Sequence, residues 1–195
     1  MGFGTFPTLL LQGGGAVVQL VLVLLCTGGS TYLRNTRTYF MAGNFALAIV
    51  GSVIIRQRPA HERWLRYAGY CLVLSYSANF PMLMSMASGN VGGFTKKVTA
   101  NAVSFTAYCV GNIIGPQLFT AKEAPSYTSG FLAMMVCFSV GLATCILLRL
   151  YLQRENRARD RLHGAAPAAA ALEGDTMVNL TDKTDKEILQ FRYVY

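Results

Sequence analysis

Uncharged, largely apolar runs alternate along this chain with short clusters of arginine and lysine. A helix needs about 20 apolar residues to cross about 30 Å of hydrocarbon. Five runs approach or reach that length, predicting transmembrane helices at 8–27, 38–55, 67–86, 98–119 and 126–148. The first has no basic segment ahead of it, and Gly13-Gly14-Gly15 interrupts it too early for a secretory signal, so it reads as a true span. After Gly28-Gly29-Ser30 and Arg34 and Arg37 comes the second run. A loop with Arg56, Arg58, Arg63 and Arg66 follows, in which Pro59 halts the helix and Trp64 suits a membrane interface. Lys122-Glu123 separates the last two runs. The expected architecture is an all-α, polytopic membrane domain over 1–161. Residues 162–195 form a tail, with a Pro167-containing alanine linker from Gly164 to Gly174 and then a polar, charged end expected to be mobile.

Composition agrees with the runs: 13% of residues are charged, against about a quarter in soluble proteins. The acidic residues all lie outside the apolar runs. The net charge of +8 does not point to nucleic acid, because the bases cluster beside spans and form no continuous basic face. They fit the positive-inside rule with the C-terminus cytoplasmic. Arg34, Arg37, Lys96, Lys97 and the arginines after Leu148 then lie inside, against Arg56, Arg58, Arg63, Arg66 and Lys122 outside. In that orientation the sequon Asn179-Leu180-Thr181 is cytosolic and carries no glycan. Cys26, Cys71, Cys109, Cys137 and Cys145 have no paired short spacing and read as small core residues, neither a disulfide frame nor a metal site. No histidine lies in a span and no nucleophile or metal-ligand spacing appears, so neither an enzyme nor a cofactor is expected.

Candidate solute-contact residues come from the polar positions inside the spans. In the fourth, Asn101, Ser104, Tyr108, Asn112 and Gly115 are spaced by three, four, four and three and share one helix face. That stripe either faces a water-filled path or forms a packing seam. Gly111 and Gly115, a Gly-x-x-x-Gly pair, read more as packing, and Pro116 predicts a bend near the outer end. In the third span, Ser75, Tyr76 and Asn79 precede Pro81 and project together, either to meet a solute or to satisfy one another, while Met82, Met84 and Met86 read as packing.

Between these two spans lies the turn Gly89-Asn90-Val91-Gly92-Gly93-Phe94-Thr95-Lys96-Lys97. Its lysines can simply mark topology and bind lipid phosphate, or they can clamp a moving helix pair while Gly92-Gly93 gives the turn its freedom. This turn with Asn101, then Gly111-Asn112-Ile113-Ile114-Gly115-Pro116-Gln117, Phe119 and Ala124-Pro125-x-Tyr127, resembles the fungal allantoate permease family of the major facilitator superfamily. Asn156 with Arg159-Asp160, Leu180-Thr181-Asp182 and Phe191-Arg192-Tyr193 resemble that family's ending. The family's usual pattern has histidine where this chain has Phe94, which removes a titratable group from the turn.

The resemblance implies an integral protein of the plasma membrane that, when complete, moves small organic anions such as ureides or nicotinate together with a proton. It implies twelve helices in two halves, of which the spans here are the last five. The N-terminal half and helix seven would be absent, and with them the coupling carboxylates or histidines, since none lies in these spans. The chain alone is therefore not expected to transport, as a truncated gene model or a decayed paralogue would not. The alternative reading is a non-transporting membrane protein that associates with full-length permeases through its exposed helix faces.

Overall fold

The computed structural model describes residues 5–33, 35–59, 61–124, 126–163, 184–188 and 191–195. Arg34, Pro125, the linker from Gly164 to Gly174 and the segment containing Asn179-Leu180-Thr181 and Asp182 lie outside the described residues. The elements are α1 (Thr5–Tyr32), α2 (Arg37–Gln57), α3 (Arg63–Val73), a 3-10 turn (Leu74–Ala78), α4 (Asn79–Asn90), α5 (Phe94–Gln117), a second 3-10 turn (Ala121–Glu123) and α6 (Thr128–His163).

Three helices are both long and apolar enough to cross a membrane: Phe6–Tyr32, Arg37–Gln57 and Thr128–Leu162. The third expected span is helical too, but it is divided into α3, the 3-10 turn and α4. Pro81 explains where it divides. Proline has no N–H and its ring crowds the preceding turn, so the chain tightens over Leu74–Ala78 and restarts at Asn79. Pro81 then sits in the first turn of α4, where no backbone donor is needed. Helix α5 has the length of a span at 24 residues, but its lysines, asparagines and threonines make it more polar. Pro116 lies one residue before its end, so the proline falls in the terminal turn.

The residues group into two compact units, Met1–Met82 with Gly115–Ile146, and Leu83–Ile114 with Leu147–Tyr195. In the first, Ala48, Ile55, Val73 and Phe138 form a buried core with Phe45, Ile49, Tyr70, Phe131 and Met134 packed around it. The backbones of α2 and α3 meet at Gly51 and Gly69, where neither residue has room for a side chain. Helix α1 turns Gly14 and Gly15 toward the rings of Tyr67 and Tyr70, and the Tyr67 hydroxyl donates to the Leu11 carbonyl at 2.9 Å. Ahead of α6, the Glu123 carboxylate accepts the Ser129 N–H at 2.8 Å and the Ser129 hydroxyl at 2.5 Å. Those two bonds hold Glu123 below the usual carboxylate range and satisfy donors at the start of α6. Phe6, Leu9, Leu20, Leu24, Val136, Val140 and Leu147 remain exposed on α1 and α6, a surface suited to lipid or another helix layer.

Candidate functional site

Helix α4 ends at Asn90 and α5 begins at Phe94, leaving three residues to reverse the chain. Gly93 makes the reversal with φ +85, a left-handed conformation that costs glycine little, and its carbonyl accepts the Lys97 N–H at 3.0 Å as α5 begins. Gly92 serves a different need. A β-carbon there would lie 2.5 Å from the backbone nitrogen of Asp185, so the turn is shaped to admit a second stretch of chain.

That stretch is the end of the tail. Composition gave it no partners, whereas the structure bonds its described residues to the turn and to α6. Around Asp185 the chain makes its own small turn, with the Glu187 N–H donating to the Thr184 carbonyl at 2.9 Å and the Thr184 N–H donating to Glu187 Oε2 at 2.7 Å. The Asp185 carboxylate forms an ion pair with Lys96 and accepts the Tyr193 hydroxyl at 2.7 Å. Arg159 of α6 completes the cluster. It donates to the carbonyls of Asp185 and Phe191 at 2.9 and 3.1 Å and to the Tyr193 hydroxyl at 3.0 Å. Its guanidinium also stacks 4.7 Å from the Tyr193 ring centre and meets Glu155 at 3.3 Å. Arg159, Asp185 and Tyr193 are 8%, 4% and 8% exposed, and the two buried charges are met by the hydrogen bonds among these residues and by Lys96 and Glu155 at the exposed edge.

Two asparagines hold the last residues by their main chain. Asn156 of α6 donates to the Tyr193 carbonyl at 2.8 Å and accepts its N–H at 2.9 Å. Asn90 of the turn does the same to Val194, at 2.8 and 2.7 Å. Arg192 pairs with Asp160 at 2.7 Å, and Arg149 lies 5.0 Å from the Tyr195 ring centre. Burial alone would raise the Asp185 carboxyl, but the bonds from Lys96 and Tyr193 and the Lys96 charge outweigh it and hold the group below the usual carboxylate range. The Tyr193 phenol is pushed well above the ordinary tyrosine value, first by burial and then by its bond to Asp185 and that residue's charge.

The polar candidates of the third and fourth runs divide. Ser75 and Asn79 are buried and bonded to α2. The Ser75 hydroxyl donates to the Asn44 carbonyl at 2.9 Å, Asn44 Nδ2 donates to Asn79 Oδ1 at 2.9 Å, and Asn79 Nδ2 reaches the Met41 carbonyl at 3.3 Å. The Cys26 thiol donates to the remaining Asn44 oxygen at 3.5 Å, so this group ties α1, α2 and the start of α4 together. Tyr76 lies apart from it, half exposed, with its ring 5.5 Å from that of Phe138.

On α5, Lys97, Asn101, Ser104 and Gly115 are partly buried while most other positions are exposed, so one face differs from the rest. The Ser104 hydroxyl bonds back to the Ala100 carbonyl at 2.8 Å and Asn112 Nδ2 to the Tyr108 carbonyl at 2.8 Å. Tyr108 is 49% exposed and stacks on Phe105. Among the described residues nothing lies within 4 Å of a β-carbon built on Gly111 or Gly115, and Pro116 is exposed. Also among the described residues, no group of three or more His, Cys, Asp or Glu side chains could hold a metal ion.

Asn44, Asp185 and Tyr193 carry no expected role from the sequence, yet each holds a cluster together. Asn44 was detectable as one of few polar residues in its run, and Asn156, Arg159 and Tyr193 stood out only through the family-like ending.

The chain is 35% identical to an uncharacterized transporter of Schizosaccharomyces pombe over 97% of its own length and 38% of that protein. It is 32% identical to the MFS-type transporter cnsL of Penicillium expansum, over 98% of this chain and 41% of that one. With the allantoate permease of Saccharomyces cerevisiae the figures are 30%, 98% and 36%. The chain thus spans about two fifths of the length of the curated relatives it matches. No family model and no solved structure matches it.

Proposed function

This chain belongs to the allantoate permease family of the major facilitator superfamily and aligns with one portion of those larger transporters; from that premise we propose that it is the C-terminal part of a proton-coupled transporter of small organic anions. Its relatives are transporters and permeases, not enzymes, and the chain is an integral membrane protein. On this reading it crosses the plasma membrane five times, with α1, α2, α3–α4, α5 and α6 as helices eight to twelve and the tail in the cytoplasm. The observation that carries the proposal is similarity to transporters over nearly the whole chain.

Within that reading the α5 face bearing Asn101, Ser104, Tyr108 and Asn112 lines the solute path, completed by a half that lies outside this sequence. Ser75 and Asn79 hold helices together, because their hydrogen bonds are already made within the chain. A carboxylate such as allantoate is the first solute class to try, because one relative is an allantoate permease.

The test is uptake of radiolabelled allantoate, nicotinate and small carboxylates into yeast that lacks its own permease. The chain is expressed alone and joined behind the N-terminal part of a relative. Uptake by the joined protein alone, abolished by a protonophore, is the expected result. Failure of the joined, membrane-inserted protein to move any of these anions overturns the solute assignment, and uptake indifferent to the protonophore overturns the coupling.

The open face at Gly111 and Gly115 favours one second reading, association with a full-length permease. Affinity purification from native membranes decides it: recovery of the chain without any permease sinks it.

A further inference from the structure

The tail contacts join two helix ends that are far apart in sequence. Helix α6 supplies Asn156, Arg159 and Asp160, the α4–α5 turn supplies Asn90, Gly92 and Lys96, and Asp185 and Tyr193 sit between them. We propose that residues 184–188 and 191–195 form a releasable clasp that couples the end of α6 to the α4–α5 turn, so that one local opening frees both. The proposal rests on the transporter reading only for its effect on turnover.

The composition of the join is what makes it releasable. It consists chiefly of ion pairs and hydrogen bonds around the Tyr193 ring. Contacts that are more polar than a core resemble transient interfaces, because each group can exchange its partner for water on opening. The turn beneath is suited to change: Gly92 is pressed against the Asp185 backbone and Gly93 is left-handed, and two glycines have many other conformations once the tail leaves. Arg159 makes the opening concerted. It holds the Asp185 and Phe191 carbonyls and the Tyr193 hydroxyl at once, so losing it loosens both described stretches of the tail together. In a transporter the docked clasp restrains the turn between two moving helices, and its release sets how readily they move.

Hydrogen exchange on the full chain in lipid nanodiscs tests this. The Tyr193 and Val194 amides report tail docking, and the Lys97 amide, bonded to Gly93, reports the turn. Gly92→Ala should block docking sterically without touching a charge, and Arg159→Gln should release the tail from the α6 side. Gly13→Ala, whose added β-carbon meets nothing within 4 Å among the described residues, is the control. Both test variants should speed the tail amides at least about tenfold, and Arg159→Gln should also speed Lys97 by about threefold or more although it lies on another helix. In the protein completed by an N-terminal half, Gly92→Ala should raise turnover about threefold at unchanged KM. Tail amides that exchange like a free peptide in the unaltered chain overturn the clasp. So does a freed tail in Arg159→Gln with Lys97 unchanged, which leaves the two ends uncoupled. Turnover that falls in Gly92→Ala overturns the restraint. A completed protein that moves no solute counts against the transporter reading, and the exchange rates still decide the clasp.

Discussion

A β-carbon on Gly51 would lie 2.5 Å from the Gly69 carbonyl oxygen, and one on Gly69 would lie 2.9 Å from the Gly51 carbonyl oxygen. The contact is reciprocal, backbone against backbone, and it sets the separation of α2 and α3. Gly51→Ala must push the helices apart or bend one of them, and overpacking of this kind costs about 1–3 kcal/mol. Thermal unfolding in detergent should show that loss, while Gly13→Ala should be neutral or slightly stabilising. Equal melting of Gly51→Ala and the unaltered chain would mean the helices are not in contact there.

Asn44 and Asn79 act as one unit. Replacing either with leucine strands its partner's amide in an apolar setting, at about 1–2 kcal/mol each, and replacing both should cost less than the sum. A double-mutant cycle in detergent reads the coupling directly. Strict additivity would show that the bond carries no energy. In the completed transporter the KM for solute should not move, since these groups are satisfied within the chain.

The bilayer's demand is one-dimensional, and that is why α1, α2 and α6 could be read from apolar runs alone. The α4–α5 turn was legible as a place with special residues, but not as a docking site. Its partners Asp185 and Val194 lie 89 and 104 residues from Lys96 and Asn90, in a segment whose polar composition matches that of unstructured chain. A spacing rule drew attention to Gly111 and Gly115, whereas the observed close approach uses one glycine from each of two helices, which leaves no spacing to detect. Ser75 and Asn79 meet through Asn44, a single asparagine on another helix, and Tyr76, expected to project with them, lies apart.

Acid and base should both open the tail, at opposite ends of the scale. Asp185 faces Lys96, Arg159 and Tyr193, and Glu155 lies near the phenol. The lowered carboxyl contributes stability above its ordinary value of 3.8, and that contribution is lost as pH falls through its lower, docked value. The raised phenol contributes below its ordinary value of 10.0 and loses its contribution as pH rises above that. Tail protection, taken relative to an unstructured peptide at each pH, should be flat between about pH 5 and pH 9. A transition near neutrality would point to some other titrating group.

Val194 is held through its main chain, so Val194→Ala should leave tail protection within about twofold, whereas Val194→Pro removes the N–H that Asn90 accepts and should release the end. The Tyr193 amide provides the measurement, and equal protection in the two variants would show that the Asn90 bonds are dispensable.

Asn156 and Asn90 each read the N–H and C=O of one residue, and the two residues are consecutive. Such a pair acts as a ruler. It is indifferent to the letter at Val194 but not to the adjacency of the two residues, because a residue inserted between Tyr193 and Val194 would bring the wrong peptide group opposite Asn90. A different side chain at Val194 would be accepted so long as Tyr193 and that adjacency are kept, and an end of equal composition with the two residues set apart would be refused.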